Sequence, residues 1–266
     1  MKKITTALLI ILGVTIGHSQ ENDLPENIGD NFSLEGALAL FKKSSSIAEF
    51  EKLINEENNN VNNLDLNNDG NVDYITVDDI KDNDTHVIVL STYLDQNEKQ
   101  DIATIGIEKT GNEQAILQIE GDTDLYAENT IIEPFETESS MNQVQHGPAL
   151  AAINTNRVSV NVWFWPSVRF IYAPRYVAWT SPHHWGFYPK YWSTWHPYRH
   201  TIFYAKAAPH RSYFHRVASR RVIVARNVYL PKRRHSTIVI HNNRKTVVIK
   251  ESKKAKTSKV YKHKRR

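Results

Sequence analysis

The chain has 266 residues, with 40% apolar content and no cysteine, so a core is permitted while disulfides and thiolate metal sites are excluded. Its net charge of +4 conceals a split. Residues 21–138 carry 28 acids against 6 lysines, and residues 141–266 carry 25 basic residues against one acid, Glu251. Halves of such opposite sign either attract each other or each meet a separate partner.

Met1, Lys2 and Lys3 make a short positive start, Ile4 to Ile16 is apolar, and Gly17 to Gln20 is small and polar. This is the pattern of a secretory signal peptide over residues 1–20, with cleavage expected near Ser19 or Gln20. The apolar run of about 13 residues is shorter than the roughly 20 needed to cross a bilayer. The alternative is an uncleaved N-terminal anchor. No later segment is long and apolar enough to span, so the mature chain is expected to be exported without a transmembrane segment. Periplasm, cell surface and medium all remain open.

Residues 21–133 read as an acidic α+β domain. Ser33 caps a helix with apolar positions Leu34, Ala37, Leu38 and Phe41. Ser46 and Glu49 form a capping box ahead of Ile47, Phe50, Leu53 and Ile54, and Asn58 to Asn60 end that second helix. After Leu66 the apolar period changes to two. Strands are expected over 72–77, 86–94, 101–109 and 114–120, joined by short Asp/Asn/Gly turns. The expected architecture is an N-terminal helix pair packed on an antiparallel meander, whose other face meets solvent or the second half. An aromatic-rich irregular or β segment and a basic tail complete it.

The sharpest motif precedes the first strand. Asp65, Asn67, Asp69 and Asp73 stand at loop positions 1, 3, 5 and 9, with Gly70 at position 6 and Asn71 at position 7. Calcium takes six to eight hard oxygen ligands, and this spacing wraps side-chain oxygens and one carbonyl around a point. Leu66 and Val72 are expected to point into a core. Position 12 is Thr76 where an EF-hand has a bidentate Glu, and a strand follows the loop, so this is no EF-hand. The other reading is an Asx-rich turn with Gly70 at positive φ.

The loop resembles the calcium loops of integrin-type FG-GAP and dockerin-like modules. That resemblance implies Asp65, Asn67, Asp69 and Asp73 as side-chain ligands of Ca2+ and Asn71 as a carbonyl ligand. Asp78 and Asp79 are candidates for a missing oxygen. Without the bidentate acid, binding should be weak, about 10⁻⁴–10⁻³ M as in extracellular modules, which suits a structural clip. The order of parts, from "LDLNNDGNVDYITV" through "HVIVLSTYL" and "DLYAENTIIEP" to the aromatic block, is similar to uncharacterised exported proteins of Bacteroidetes type over about residues 1–200. That likeness implies export and modularity and no particular activity.

Residues 134–156 read as a linker and 157–215 as an aromatic and histidine-rich segment. Between Trp163 and Phe214 lie 18 of the chain's 27 aromatics, including all six tryptophans, interrupted by six prolines. Long helices are not expected there. Val158, Val160 and Val162 alternate as a strand, with "VRFIYAPRYVAW" pairing back. These rings either pack on each other and cover the acidic meander, or contact a glycan or polyanion. Trp163, Trp165, Arg169, Arg175, Trp192 and Trp195 are the candidate contact residues. His183, His184, His196, His200, His210 and His215 cluster here, with His196 and His200 at helical spacing. Residues 216–266 form a basic tail. Its runs "RVIVARNVYL" and "STIVIHNNRKTVVIK" read as strands, and disorder is expected from about residue 251.

No G-x-S-x-G, P-loop, dinucleotide glycine pattern or HExxH motif occurs. The sequence therefore points to a non-enzymatic exported protein with a calcium-stabilised domain. Its expected partner is an envelope polyanion, glycan or protein. Nucleic acid is the alternative polyanion, and a His-ligated metallohydrolase the remaining reading.

Overall fold

The computed structural model describes residues 24–136 and 158–240. The expected signal peptide, most of the expected linker and the chain beyond residue 240 lie outside the described residues.

The fold is α+β, with an N-terminal helix pair ahead of an antiparallel meander, as expected. Helix α1 runs Leu34–Lys43 and α2 runs Ile47–Ile54. Ser33 Oγ accepts from Gly36 N at 3.0 Å, and Ser46 Oγ from Glu49 N at 3.1 Å. The second cap departs from a full capping box, because the Glu49 carboxylate accepts from Ser45 N at 2.7 Å rather than from Ser46.

The meander comprises β1 (Ile75–Asp82), β2 (Thr85–Tyr93), β3 (Lys99–Gly111) and β4 (Gln114–Gly121). A fifth strand, β5 (Ile131–Glu136), pairs with β4 and crosses the sequence boundary at which the pattern dissolves. Strand β5 also pairs with β6 (Val158–Ser159) and with β7 (Phe214–Val217). The basic half thus supplies a strand to the acidic half's sheet.

Both faces of the sheet are covered. Ile88, Leu90, Ile105 and Ile107 face a core shared with Leu38, Phe41, Phe50 and Ile54. Val87 and Val89 face the opposite way, onto Val222, Ala225 and Tyr229. This double burial explains why β2 reads as an almost continuous branched run rather than an alternating one. Trp165, Val168, Ile171 and Phe214 belong to the first core, so the two halves share one interior.

Four stretches read as strands are otherwise, one of them being residues 237–240 at the start of "STIVIHNNRKTVVIK", which are helical. Residues Pro166–Ile171 form helix α3, with Pro166 in its first turn and Val168 and Ile171 buried three apart. Val162 begins a 3-10 turn, leaving β6 only two residues. Residues Ile223–Tyr229, inside "RVIVARNVYL", form helix α5. Its buried positions, Val222, Ala225 and Tyr229, are spaced three and four apart, and Ile223 and Val224 are exposed. A branched run of residues suggested a strand, but the pattern of burial is helical. Helix α4 runs His200–Lys206. No helix among the described residues is long and apolar enough to cross a membrane.

Candidate metal loop and its aromatic cover

The loop from Asp65 to Asp73 leads into β1. Asn68 at φ 60° and Gly70 at φ 85° reverse the chain. Open space surrounds Gly70 where a Cβ would stand, so the backbone angle alone calls for glycine there. Asp65 Oδ1 accepts from Asp69 N at 3.0 Å, and its Oδ2 from Gly70 N at 2.9 Å. Asn67 Oδ1 shares the Asp69 N–H at 3.0 Å, and Asp69 Oδ1 accepts from Asn71 N at 2.8 Å. Asp73 Oδ2 reaches back to Leu66 N at 2.7 Å. Leu66 and Val72 are buried, as their apolar character required. These bonds are those of an Asx-rich turn, and they also gather the expected ligand side chains on one loop.

The electrostatics are unfavourable for the loop by itself. Burial, reinforced by the negative charges of Asp65 and Asp69, pushes the Asp73 carboxyl up to about 8. Burial and the neighbouring Asp69 also raise Asp65. None of the three carboxylates forms an ion pair with lysine or arginine among the described residues. A hard divalent cation fits such an oxygen-rich, cation-poor set. Counted on His, Cys, Asp and Glu alone, no group of three among the described residues is arranged to hold a metal ion. The loop's donor set includes an amide and a backbone oxygen besides its acids.

The suggested extra ligands are committed elsewhere. Asp78 pairs with Lys99 and Arg234, each at 3.1 Å. Asp79 Oδ2 accepts from Tyr176 Oη and contacts His86 Nδ1, both at 2.8 Å. Thr76 Oγ1 donates to Ser91 O within the sheet.

The aromatic segment lies over this end of the sheet. Val72 N donates to Trp195 O at 2.8 Å, Thr194 Oγ1 to Val72 O at 3.1 Å, and His196 Nδ1 to Gly70 O at 2.7 Å. Tyr74 stands at the centre of a ring cluster with His183, Tyr188 and Trp192 at centroid distances of 5.2–5.5 Å. Along the edge of β1, Asp79 N donates to Trp179 O at 2.8 Å, so the segment covers an otherwise open strand.

The candidate contact residues do not share one surface. Trp165 is buried beneath Lys42, and Trp163 packs on Tyr172 with Lys109 over its ring. Trp192 and Trp195 lie at the acidic loop instead. Arg169 and Arg175 are exposed. The histidines are likewise dispersed. His200 opens α4 and contacts Asn31 Oδ1 at 3.0 Å, whereas His196 lies outside that helix on Gly70. His210 contacts Asn59 O at 2.8 Å.

Sequence reasoning missed Glu51. It is 2% exposed, and its carboxylate accepts from Tyr74 Oη (3.1 Å), Val77 N (3.3 Å), Trp179 Nε1 (3.2 Å) and Ser181 Oγ (2.7 Å). The available signal was an acid inside the apolar stripe of α2, between Phe50 and Ile54. The arginines of the basic half were also more specific than their tail reading implied. Arg233 grips Asp122 through two bonds at 2.6 and 2.7 Å, Arg234 reaches Asp101 at 3.0 Å, and Arg220 reaches Glu120 at 2.9 Å. No family model, curated protein or solved structure matches the chain.

Proposed function

We propose that this is a non-enzymatic exported protein whose acidic loop binds Ca2+ as a structural clip, and whose aromatic and basic half associates with a polyanion of the cell envelope. The observation that carries the calcium reading is a buried Asp73 beside Asp65 and Asp69, with no lysine or arginine paired to any of them among the described residues. Asp65, Asn67, Asp69 and Asp73 would hold the ion by side chains and Asn71 by its carbonyl. The ion supplies charge neutralisation and fixes the entry into β1. Calorimetric titration with calcium, repeated on D65N and D69N, tests it. Binding in the wild type and its loss in both variants supports the clip, and no heat at millimolar calcium refutes it.

The polyanion reading is supported by cations that no carboxylate engages among the described residues. Arg169, Arg175 and Lys190 are exposed and form no ion pair there, and the sequence beyond residue 240 contains 11 further lysines and arginines. Arg220, Arg226, Arg233 and Arg234 are occupied internally and do not contribute. Co-sedimentation with anionic vesicles and with cell wall, at low and high salt, tests this association. Stronger retention on DNA than on either envelope fraction would favour nucleic acid instead.

A further inference from the structure

The seam between the two halves is closed by paired charges along much of its length, and it opens beneath α4. Glu120 holds Arg220 and Arg226, Asp122 holds Arg233, and Asp101 holds Arg234. Between the start of α1, α4 and the β5–β7 edge lies a cavity of about 430 Å³. That volume is in the range of small-molecule sites, which favour such junctions. Its apolar lining comes from Phe32, Tyr126, Ile132 and Phe203, all buried.

The charged lining has both signs, one from each half. The acidic half supplies Glu26, Asp30 and Glu35, and the basic half supplies Arg211, Arg216 and the titratable His200. Unlike the arginines elsewhere on the seam, Arg211 and Arg216 form no ion pair with Asp30 or Glu35. Asp30 instead accepts from Asn27 N at 2.8 Å. Arg211 lies 3.9 Å from the Tyr204 ring centroid and donates one N–H to Tyr204 O. Arg216 donates one N–H to Thr130 Oγ1 at 2.9 Å. Each guanidinium has further donors suited to a carboxylate.

We infer that this cavity binds a short free peptide as a zwitterion. Its carboxylate meets Arg211 and Arg216, its ammonium meets Asp30 and Glu35, and its apolar side chains meet Phe32, Tyr126, Ile132 and Phe203. A lone anion would stand near three like-charged carboxylates, and a lone cation near two guanidinium groups. A neutral apolar ligand would leave the opposite charges, partly exposed at Asp30, Glu35 and Arg211 and exposed at Arg216, without the pairing that a zwitterion supplies. The site is separate from the acidic loop and does not depend on calcium.

Titration calorimetry of the full chain with leucyl-leucine tests the inference, using the N-acetylated dipeptide and the dipeptide methyl ester as single-charge controls. Saturable binding is expected, weakened about tenfold by blocking either terminus. E35Q and R216Q should each weaken it by a similar factor while leaving the melting curve in place. Three outcomes overturn the proposal: no saturable binding at about 10 mM dipeptide, equal affinity for the blocked forms, or equal affinity for hexanoate. The ligand controls decide the matter without any variant, should a substitution disturb the fold.

Discussion

His196 donates from Nδ1 to the carbonyl oxygen of Gly70 at 2.7 Å, joining the basic half to the turn of the acidic loop. Trp195 and Thr194 extend the join through Val72. The loop is therefore held from inside by its own Asx side chains and from outside by a segment more than a hundred residues away. H196A removes the outer bond at the turn. The expected result is about 1 kcal/mol lower stability in urea unfolding and calcium binding weaker by a few fold, read by calorimetry.

Glu51 ties α2, β1 and the aromatic cover through one carboxylate. Burial raises its pKa above 4.5, against the opposing hydrogen bonds from Ser181, Trp179 and Tyr74. The folded state therefore holds this proton more tightly than the unfolded chain does. Its stabilising effect is fully present below about 4.5 and is lost as pH rises through the folded value. The stability difference between wild type and E51Q should accordingly shift against the wild type across that window, as read by urea unfolding at a series of pH values. E51A leaves the Trp179, Ser181 and Tyr74 donors without their acceptor and is expected to lower stability by about 2–4 kcal/mol at neutral pH.

Arg234 links the expected tail to the sheet, donating to Asp101 and to Ser91 Oγ and pairing with Asp78. Asp101 is 0% exposed and also accepts from Ser91 Oγ at 2.8 Å and Tyr229 Oη at 2.9 Å. R234M should lower stability by about 1–3 kcal/mol, because the Arg234 side chain is 36% exposed and Asp101 keeps the Ser91 and Tyr229 donors. Burial by itself would raise the Asp78 carboxyl, yet Lys99 and Arg234 hold it below its ordinary 3.8. That contribution is present above about 3.8 and is lost as pH falls through the depressed folded value. R234M should therefore flatten the acid limb of the unfolding profile.

Gly106 lies under α5, where a Cβ would come within 2.9 Å of both Ala225 Cβ and Val222 Cγ2. G106A should push α5 off β3 and lower stability by about 1–3 kcal/mol, with the loss read by thermal unfolding.

Much of this was legible in the residues. The N-caps Ser33 and Ser46, the helical periods behind them and the period-two runs of the meander are local signals, and each produced its element. The Asp65–Asp73 spacing located the loop because backbone reversal and oxygen placement are encoded within nine positions. Helices α3 and α5 were not legible, because the helical burial of Val168 and Ile171 is imposed by packing beside α1 and that of Val222 and Ala225 by the sheet beneath. Strand β5 contains Pro134, which signals a linker unless its partner β7 is known. The pairing of Arg233 with Asp122 and of Trp179 with Glu51 joins residues more than a hundred positions apart. Charge asymmetry announced the attraction between the halves but not which residues meet.

The central claim is that calcium closes the Asp65–Asp73 loop, and thermal unfolding of the purified chain with about 10 mM calcium against excess chelator tests it most directly. For a dissociation constant of about 10⁻⁴–10⁻³ M, the ion should add roughly 1.4–2.7 kcal/mol, raising Tm by about 3–10 °C. The rise should vanish in a D65N/D69N double variant. Superimposable curves with calcium and with chelator would contradict the claim and leave the loop as a hydrogen-bonded turn.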